Sequence, residues 1–416
     1  MKIIIFGAGV YGKKCLYFLS SIGVTVDFFC QTYVEENQYL KEIPILDISR
    51  LSKVEENKII FIAINNRSIV EEIREKIKQE IKGIINIYNY CDLRPECDLV
   101  YEGQEFEIRI MYDYWNTYLK NSKLLKESRD KLCHGLLAED IDKIDRIINR
   151  MAGFIVDKSL NCDIYTLEEK RKIYLMEQDM FENIGYKIKG DECFYLYKNY
   201  KLYERCFEAN VFYYQLGMGL LKNTVQIKEK NIVDVGAYIG DSSIVLSDYT
   251  DRFVYAFEAF DGNYQKIIKN AKLNNRTNII PINLALGESS SYKSFYLRSD
   301  SNTGHGMIQR KNLSYRDEIQ VRQVTLDEYV NENDLDIGLI KVDIEGAERE
   351  FLYGAKETIC SQKPTLLISI YHTADDFFEL KSMIEQWGCG YSFRVFQPIT
   401  RTSFLLETAL ICEVLL

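Results

Sequence analysis

Three stretches in the latter half of the chain place acids where a strand gives way to a helix. The first, Asp234-Val235-Gly236-Ala237-Tyr238-Ile239-Gly240-Asp241, follows an apolar run and carries two glycines, with Asp234 inside the strand end. An acid there suits a ligand with a cationic amine and a sulfonium better than a diphosphate. The second, Phe257-Glu258, closes the next strand, where a carboxylate can accept hydrogen bonds from both hydroxyls of a ribose. The third, Leu339-Ile340-Lys341-Val342-Asp343-Ile344-Glu345-Gly346-Ala347-Glu348, is an apolar strand, an acid-rich turn and a helix start. A different glycine loop opens the chain. Gly7-Ala8-Gly9-Val10-Tyr11-Gly12 follows an apolar strand and begins a helix, the context in which backbone amides cradle a phosphate. The strand after it ends at Phe29-Cys30-Gln31, with no Asp or Glu to hold the ribose of NAD. A nucleotide sugar, another phosphate ligand, or packing alone stay open for Gly7, Gly9 and Gly12.

The elements that must position these residues fall into three regions. Over residues 1–90, strand-like runs at Ile3–Phe6, Val24–Cys30, Ile59–Ile64 and Ile84–Tyr88 alternate with helical patterns at Tyr11–Ile22 and Ser68–Ile81. That alternation predicts a small parallel sheet with crossover helices, a Rossmann-like module short of a full dinucleotide-binding domain. Residues 91–204 read as a mainly helical connector: Ile141, Ile144, Ile147 and Ile148 share one helix face, and a tyrosine-rich stretch leads onward. From 205 to 416 the α/β alternation resumes, with strands expected at Ile232–Val235, Phe253–Phe257, Ile279–Asn283, Leu339–Val342 and Thr365–Ile370. Tyr391–Phe396 and Ala409–Leu415 should close the sheet as an antiparallel pair, and the polar insertion Gly287–Gln323 reads as a β-hairpin over its edge.

Composition narrows the function classes. The 416 residues carry 52 Lys and Arg against 62 Asp and Glu, a formal charge of −10, which repels a phosphate backbone and disfavours a nucleic-acid partner. No apolar run approaches the roughly 20 residues of a membrane span, and the glycines and lysines after Phe6 argue against a secretory signal. Eleven scattered cysteines without C-x-x-C indicate neither a disulfide framework nor structural zinc, so a reducing cytoplasm is expected.

Taken together, the Asp234–Gly240 loop, Glu258, Thr325-Leu326-Asp327-Glu328-Tyr329 and the I-K-V-D-I-E-G-A-E stretch resemble the FkbM-type methyltransferases. The resemblance runs from about Glu208 to the end of the chain and implies a class I α/β fold: a Rossmann-like sheet, parallel but for a C-terminal antiparallel strand. It implies S-adenosyl-L-methionine as cofactor and a hydroxyl of a sugar, glycan or related metabolite as acceptor. Carried over by position, Asp234, Gly236, Ala237, Tyr238, Gly240 and Asp241 would form the cofactor loop, Glu258 the ribose contact, and Leu284-Ala285 the border of the adenine. Asp343 and Glu345 would line the pocket beside the methyl group, and Tyr371-His372 matches a Tyr-His pair found in part of the family.

A sugar hydroxyl needs a base, and His372 is the first candidate, because an imidazole of ordinary pKa near 6.5 takes up a proton at physiological pH. Asp343 is the second, with Glu345 beside it. Asp343 and Glu345 could also hold a divalent cation, but the sequence offers no evident third ligand and no metal is assigned. Glu348 reads as helix capping only. His305 reads as a solvated loop histidine, and His134 lies in the connector. The small N-terminal module would recruit a nucleotide-linked or carrier-linked acceptor. Two rivals remain: an NAD-dependent or nucleotide-sugar enzyme using the first glycine loop, and a binding protein whose methyltransferase half has decayed.

Overall fold

A computed structural model describes residues 2–21, 24–34, 38–55, 57–64, 67–81, 85–90, 115–157, 166–189, 192–204, 206–298, 305–308, 315–400 and 404–415. The chain forms two compact units, Met1–Asp98 and Leu99–Leu416. Residues 91–114, where the connector was expected to begin, lie outside the described residues.

The first unit is a six-stranded sheet of β1 (Lys2–Phe6), β2 (Phe28–Gln31), β3 (Tyr39–Leu40), β4 (Ile43–Asp47), β5 (Lys58–Ile62) and β6 (Ile85–Asn89). Their order is β3-β4-β2-β1-β5-β6, parallel throughout except for β3 against β4. Ile4, Ile5, Ile60 and Ile62 are buried, as central strands covered on both faces require. Helices Val10–Ser21 and Arg67–Glu80 make the crossovers. The short β3 and β4 were not expected; Pro44 and the length of the pair hide them from a strand pattern.

In the second unit, helices Ser122–Cys133, Ala138–Asp157 and Leu167–Asn183 precede a three-stranded antiparallel sheet, β7 (Ile184–Lys189), β8 (Glu192–Tyr197) and β9 (Tyr200–Leu202). That small sheet absorbs the tyrosine-rich stretch, with Tyr197 and Tyr200 buried against Phe212. The helices of this region share a core with the residues that follow. Trp115 packs on Phe377 and Phe378, and Tyr118 donates a 2.7 Å hydrogen bond to Asp375.

The main sheet has seven strands: β10 (Asn231–Val235), β11 (Val254–Phe257), β12 (Ile279–Ile282), β16 (Ile337–Val342), β17 (Thr365–Ser369), β18 (Ser392–Phe396) and β19 (Ala409–Glu413). Between them β13 (Ala285–Leu286), β14 (Ser291–Arg298) and β15 (Tyr315–Val324) form a separate three-stranded sheet, the expected hairpin. The main order is β12-β11-β10-β16-β17-β19-β18, with β19 alone antiparallel to its neighbours. Alternation sends Val233 and Val235, Leu366 and Ile368 to one face and Ile232 and Leu367 to the other, each into its own buried cluster. The chain direction of the order reverses between β10 and β16. Ligands of open α/β sheets bind beyond the carboxyl ends at such a point. Among the described residues no helix is long and apolar enough to cross a membrane.

Candidate active site

The turn after β10 is shaped by close backbone approach. Gly236 has φ +76°, and a Cβ on it would stand 1.9 Å from the carbonyl oxygen of Asp343 at the end of β16. The two strand ends therefore touch where only a hydrogen can sit. Gly236→Ala is expected to cost about 2–4 kcal/mol, from a left-handed backbone and a backbone clash. A lowered urea midpoint measures it, and an unchanged midpoint would contradict the close approach. Gly240, at φ +88°, ends the turn against Ile267 and leads into helix Asp241–Leu246.

Asp234 is fully buried, and its Oδ2 accepts hydrogen bonds from Ser242 and Ser243 at 2.7 and 2.6 Å. Parallel register sets Lys341 directly beside it, with Nζ 3.1 Å from Asp234 Oδ1 and 3.0 Å from the Gly236 carbonyl oxygen. Burial alone would lower the Lys341 pKa; Asp234, Asp343 and Asp241 outweigh that and raise it. Asp234 thus ties turn, helix and neighbouring strand together and is not among the residues lining the cavity; nor are Ala237 and Gly240. This departs from the expected contact role of these three, because the polar face of Asp234 is already occupied by protein.

Glu258 sits at the carboxyl end of β11. The Tyr238 amide donates to its Oε2 at 3.0 Å and the Phe260 amide to its Oε1 at 2.9 Å. Each oxygen is thereby aimed, with a further lone pair available to a hydroxyl pair. Burial raises its carboxyl to about 7 against the pull of those amides.

At the end of β16 the chain turns through Glu345 at φ +59° and Gly346 at φ +101°. His372, 1% exposed, follows β17. Its Nε2 is 3.3 Å from Asp343 Oδ1 and 3.6 Å from Glu345 Oε2, and its Nδ1 is 2.9 Å from Glu348 Oε1. Burial pulls the imidazole pKa down, yet Glu348, Glu345 and Asp343 prevail and hold it up at about 10. This departs from the ordinary value expected of His372: the surrounding carboxylates favour the protonated ring. Glu348 does more than cap its helix. It accepts the Ile344 amide at 2.9 Å and faces His372.

One cavity of about 290 Å³ gathers Gly236, Tyr238, Asp241, Glu258, Ala285, Asp343, Glu345 and His372. Burial raises the Asp241 carboxyl to about 6. Apolar Phe257, Leu284, Leu286 and Phe295 line the wall near Ala285. Such a cavity offers a diol acceptor, a flat apolar slot and a cluster of charge (Asp343, Glu345 and His372) in one space.

A model of the methyltransferase FkbM domain matches residues 234–394. The matched residues all lie in the second unit. Among solved structures, the chain is similar to a methyltransferase FkbM from Methylobacillus flagellatus KT, with 16% identity over 99% of this chain and 90% of that one, TM-score 0.45. An rRNA methylase from Streptococcus thermophilus shares 13% identity over 46% of this chain and 92% of that one, TM-score 0.28. TYW2 of M. jannaschii, solved in complex with AdoMet, shares 14% over 55% of this chain and 84% of that one, TM-score 0.27. No curated protein matches the chain.

The cavity is also lined by residues that sequence reasoning passed over. Glu407 lines the cavity, accepting from Asn210 at 2.8 Å and Tyr371 at 3.2 Å; burial first, then Asp343, raises it to about 7. Glu407 and Asn210 lie about two hundred residues apart in the chain, so no local pattern joins them. Lys341 was visible as a lone cation in an apolar strand, the signal that should have marked it as paired. His305 is a cavity residue and not a solvated one: its Nδ1 accepts from the Arg298 amide at 3.1 Å, its ring meets Phe260 edge-on, and burial lowers its pKa.

In the first unit the glycine turn is tight. Gly7 has φ +108°, and a Cβ on Gly12 would lie 1.9 Å from the Gly7 carbonyl oxygen, while one on Gly9 would meet nothing within 4 Å. Close packing of helix on turn accounts for Gly7 and Gly12 without a ligand. In the second unit a disulfide joins Cys360 and Cys389, whose Cα atoms are 5.4 Å apart, a pairing the scattered cysteines gave no hint of. Cys30, Cys133, Cys193 and Cys412 are in no disulfide.

Proposed function

We propose that the FkbM domain transfers a methyl group from S-adenosyl-L-methionine to a hydroxyl of a sugar, glycan or related metabolite in the cytoplasm. The observation that carries this reading is Glu258, whose two oxygens are oriented by backbone amides at one end of a cavity that holds Asp343 and Glu345 further along. The residues fit the cofactor. Glu258 would take the ribose hydroxyls, Leu284–Leu286 the adenine, and the Gly236–Asp241 turn the amino-acid end, with Asp241 facing its ammonium. When bound, the cofactor supplies an electrophilic methyl on a sulfonium.

The chain's own contribution is orientation and charge. Asp343, Glu345 and His372 all line the cavity, the two carboxylates with side chains 25% and 29% exposed and the imidazole 1%. The carboxylates accept hydrogen bonds from the acceptor hydroxyl, fixing its oxygen for in-line attack, and receive its proton. Glu407 adds a third acceptor for a polyhydroxylated substrate. The acidic wall and the net charge of −10 disfavour nucleic acid. A nucleotide-linked or carrier-linked form of the acceptor would use the Gly7–Gly12 turn of the first unit.

Titration calorimetry of the full chain with S-adenosylhomocysteine tests the cofactor, and absence of binding would overturn the reading. Incubation with S-adenosylmethionine and a panel of sugars, followed by mass spectrometry, tests the acceptor class. The affinity should also depend on pH with a definite sign. Glu258 titrates at about 7 in the free protein against 4.5 for an ordinary glutamate. Ribose hydroxyls donate to the carboxylate form, so affinity is full above pH 7 and falls as pH drops through 7, approaching tenfold per unit. Stability runs the other way: the raised pKa makes the fold take up a proton between pH 7 and 4.5, and this group's contribution to stability increases as pH falls across that window. Flat affinity from pH 8 to 6 would contradict the assignment.

A further inference from the structure

We infer that His372, Asp343 and Glu345 form a divalent-cation site, of the Mn2+ and Mg2+ class, that holds the acceptor hydroxyl at the methyl-transfer end of the cavity. The inference rests on the methyltransferase reading of that cavity and adds a metal to it.

Two carboxylate oxygens flank one imidazole nitrogen. His372 Nε2 stands 3.3 Å from Asp343 Oδ1 and 3.6 Å from Glu345 Oε2. Atoms sharing one ion at bonds of about 2.0–2.2 Å stand about 3.0–3.5 Å apart, so small side-chain adjustments suffice. Both imidazole nitrogens are buried; Nδ1 faces Glu348 at 2.9 Å, while Nε2 has no hydrogen bond that close. A metal ion would displace the proton from Nε2 and take its place between the two carboxylates.

The opposite edge of the ring supplies an independent argument. Ligating histidines almost always present their other nitrogen to a carboxylate, which fixes the tautomer and aims the ligating lone pair. Glu348, with no exposed surface, places Oε1 2.9 Å from His372 Nδ1 and is itself fixed by the Ile344 amide. Asp343, Glu348 and His372 each bring a ligand atom within 4.8 Å of the others. Glu348 is nevertheless a positioning residue here, because it faces Nδ1 and does not line the cavity. Glu345 takes the third place through its left-handed backbone, φ +59°, the kind of strain that functional turns retain.

Two carboxylates and one imidazole, a mixed oxygen and nitrogen set, suit Mn2+ better than the all-oxygen preference of Mg2+, with coordination positions left toward the cavity. An acceptor hydroxyl bound there loses its proton more readily. The third ligand missing from the sequence reading is thus His372, brought in from the next strand.

The test uses the full chain, freed of metal by chelation and titrated with Mn2+ under electron paramagnetic resonance. Wild type is expected to bind one ion per chain, with hyperfine coupling to one imidazole nitrogen in the pulsed spectrum. His372→Gln should abolish that coupling while His305→Gln retains it. Asp343→Asn should weaken Mn2+ at least tenfold, and Glu348→Gln about 10- to 100-fold through ring orientation alone. Each variant is first checked for S-adenosylhomocysteine binding, which reports an intact fold. Cofactor binding without Mn2+ binding, or Mn2+ binding indifferent to Asp343→Asn and His372→Gln, overturns the metal site and leaves the methyltransferase reading standing. Loss of cofactor binding in the wild type overturns both.

Discussion

Glu258→Ala is expected to weaken S-adenosylhomocysteine binding by about 100- to 10,000-fold. A hydrogen bond to a charged acceptor contributes about 1.5–3 kcal/mol, two are lost, and each 1.4 kcal/mol is tenfold in affinity. The alanine also leaves the Tyr238 and Phe260 amides without the carboxylate that now receives them at 3.0 and 2.9 Å. The Tyr238 amide holds the turn after β10 to the end of β11, so part of the loss comes through a loosened turn. Glu258→Gln separates the two effects: it keeps one acceptor oxygen and most of the shape, and should fall between wild type and alanine. Calorimetry on variants with unchanged circular dichroism decides, and undiminished affinity in Glu258→Ala would sink the ribose assignment.

The second large effect is on stability. Lys341→Ala should lower the unfolding free energy by about 3–5 kcal/mol, the cost of leaving a buried charge without its partner. Asp234 has no exposed surface, and beyond its two serine donors its countercharge is the Lys341 ammonium 3.1 Å away. Adding Asp234→Asn to the lysine variant removes the stranded charge and should restore part of the loss, a coupling that a double-mutant cycle in urea reads directly. A loss below about 1 kcal/mol for the single variant would mean that the pair is far better hydrated than its burial implies.

These two residues also mark how far the sequence could be read. The strands themselves, the hairpin insertion and the expectation that Glu258 and Asp343 converge follow from apolar runs ending in acids, because strand ends of a parallel sheet share one edge. The role of Asp234 did not follow. Its acid and Lys341 are more than a hundred positions apart, and only register makes them neighbours. His372 shows the same limit. Its position after β17 was legible, but its charge state depends on Glu348, Glu345 and Asp343, whose distances are set by a left-handed turn that no residue preference announces for a glutamate. The cavity wall of Glu407 and Asn210 was hidden altogether, since ordinary polar residues become a site only when folding stacks distant segments.

The insertion of β19 between β17 and β18 has a kinetic consequence. Among the described residues, 392–396 bond into the sheet through 409–413, so the edge strand can join it only with or after that later segment. The pairing of β19 with β17 closes a longer stretch of chain than a hairpin would, an entropic cost that falls on the side of the sheet away from β11 and the Glu258 turn.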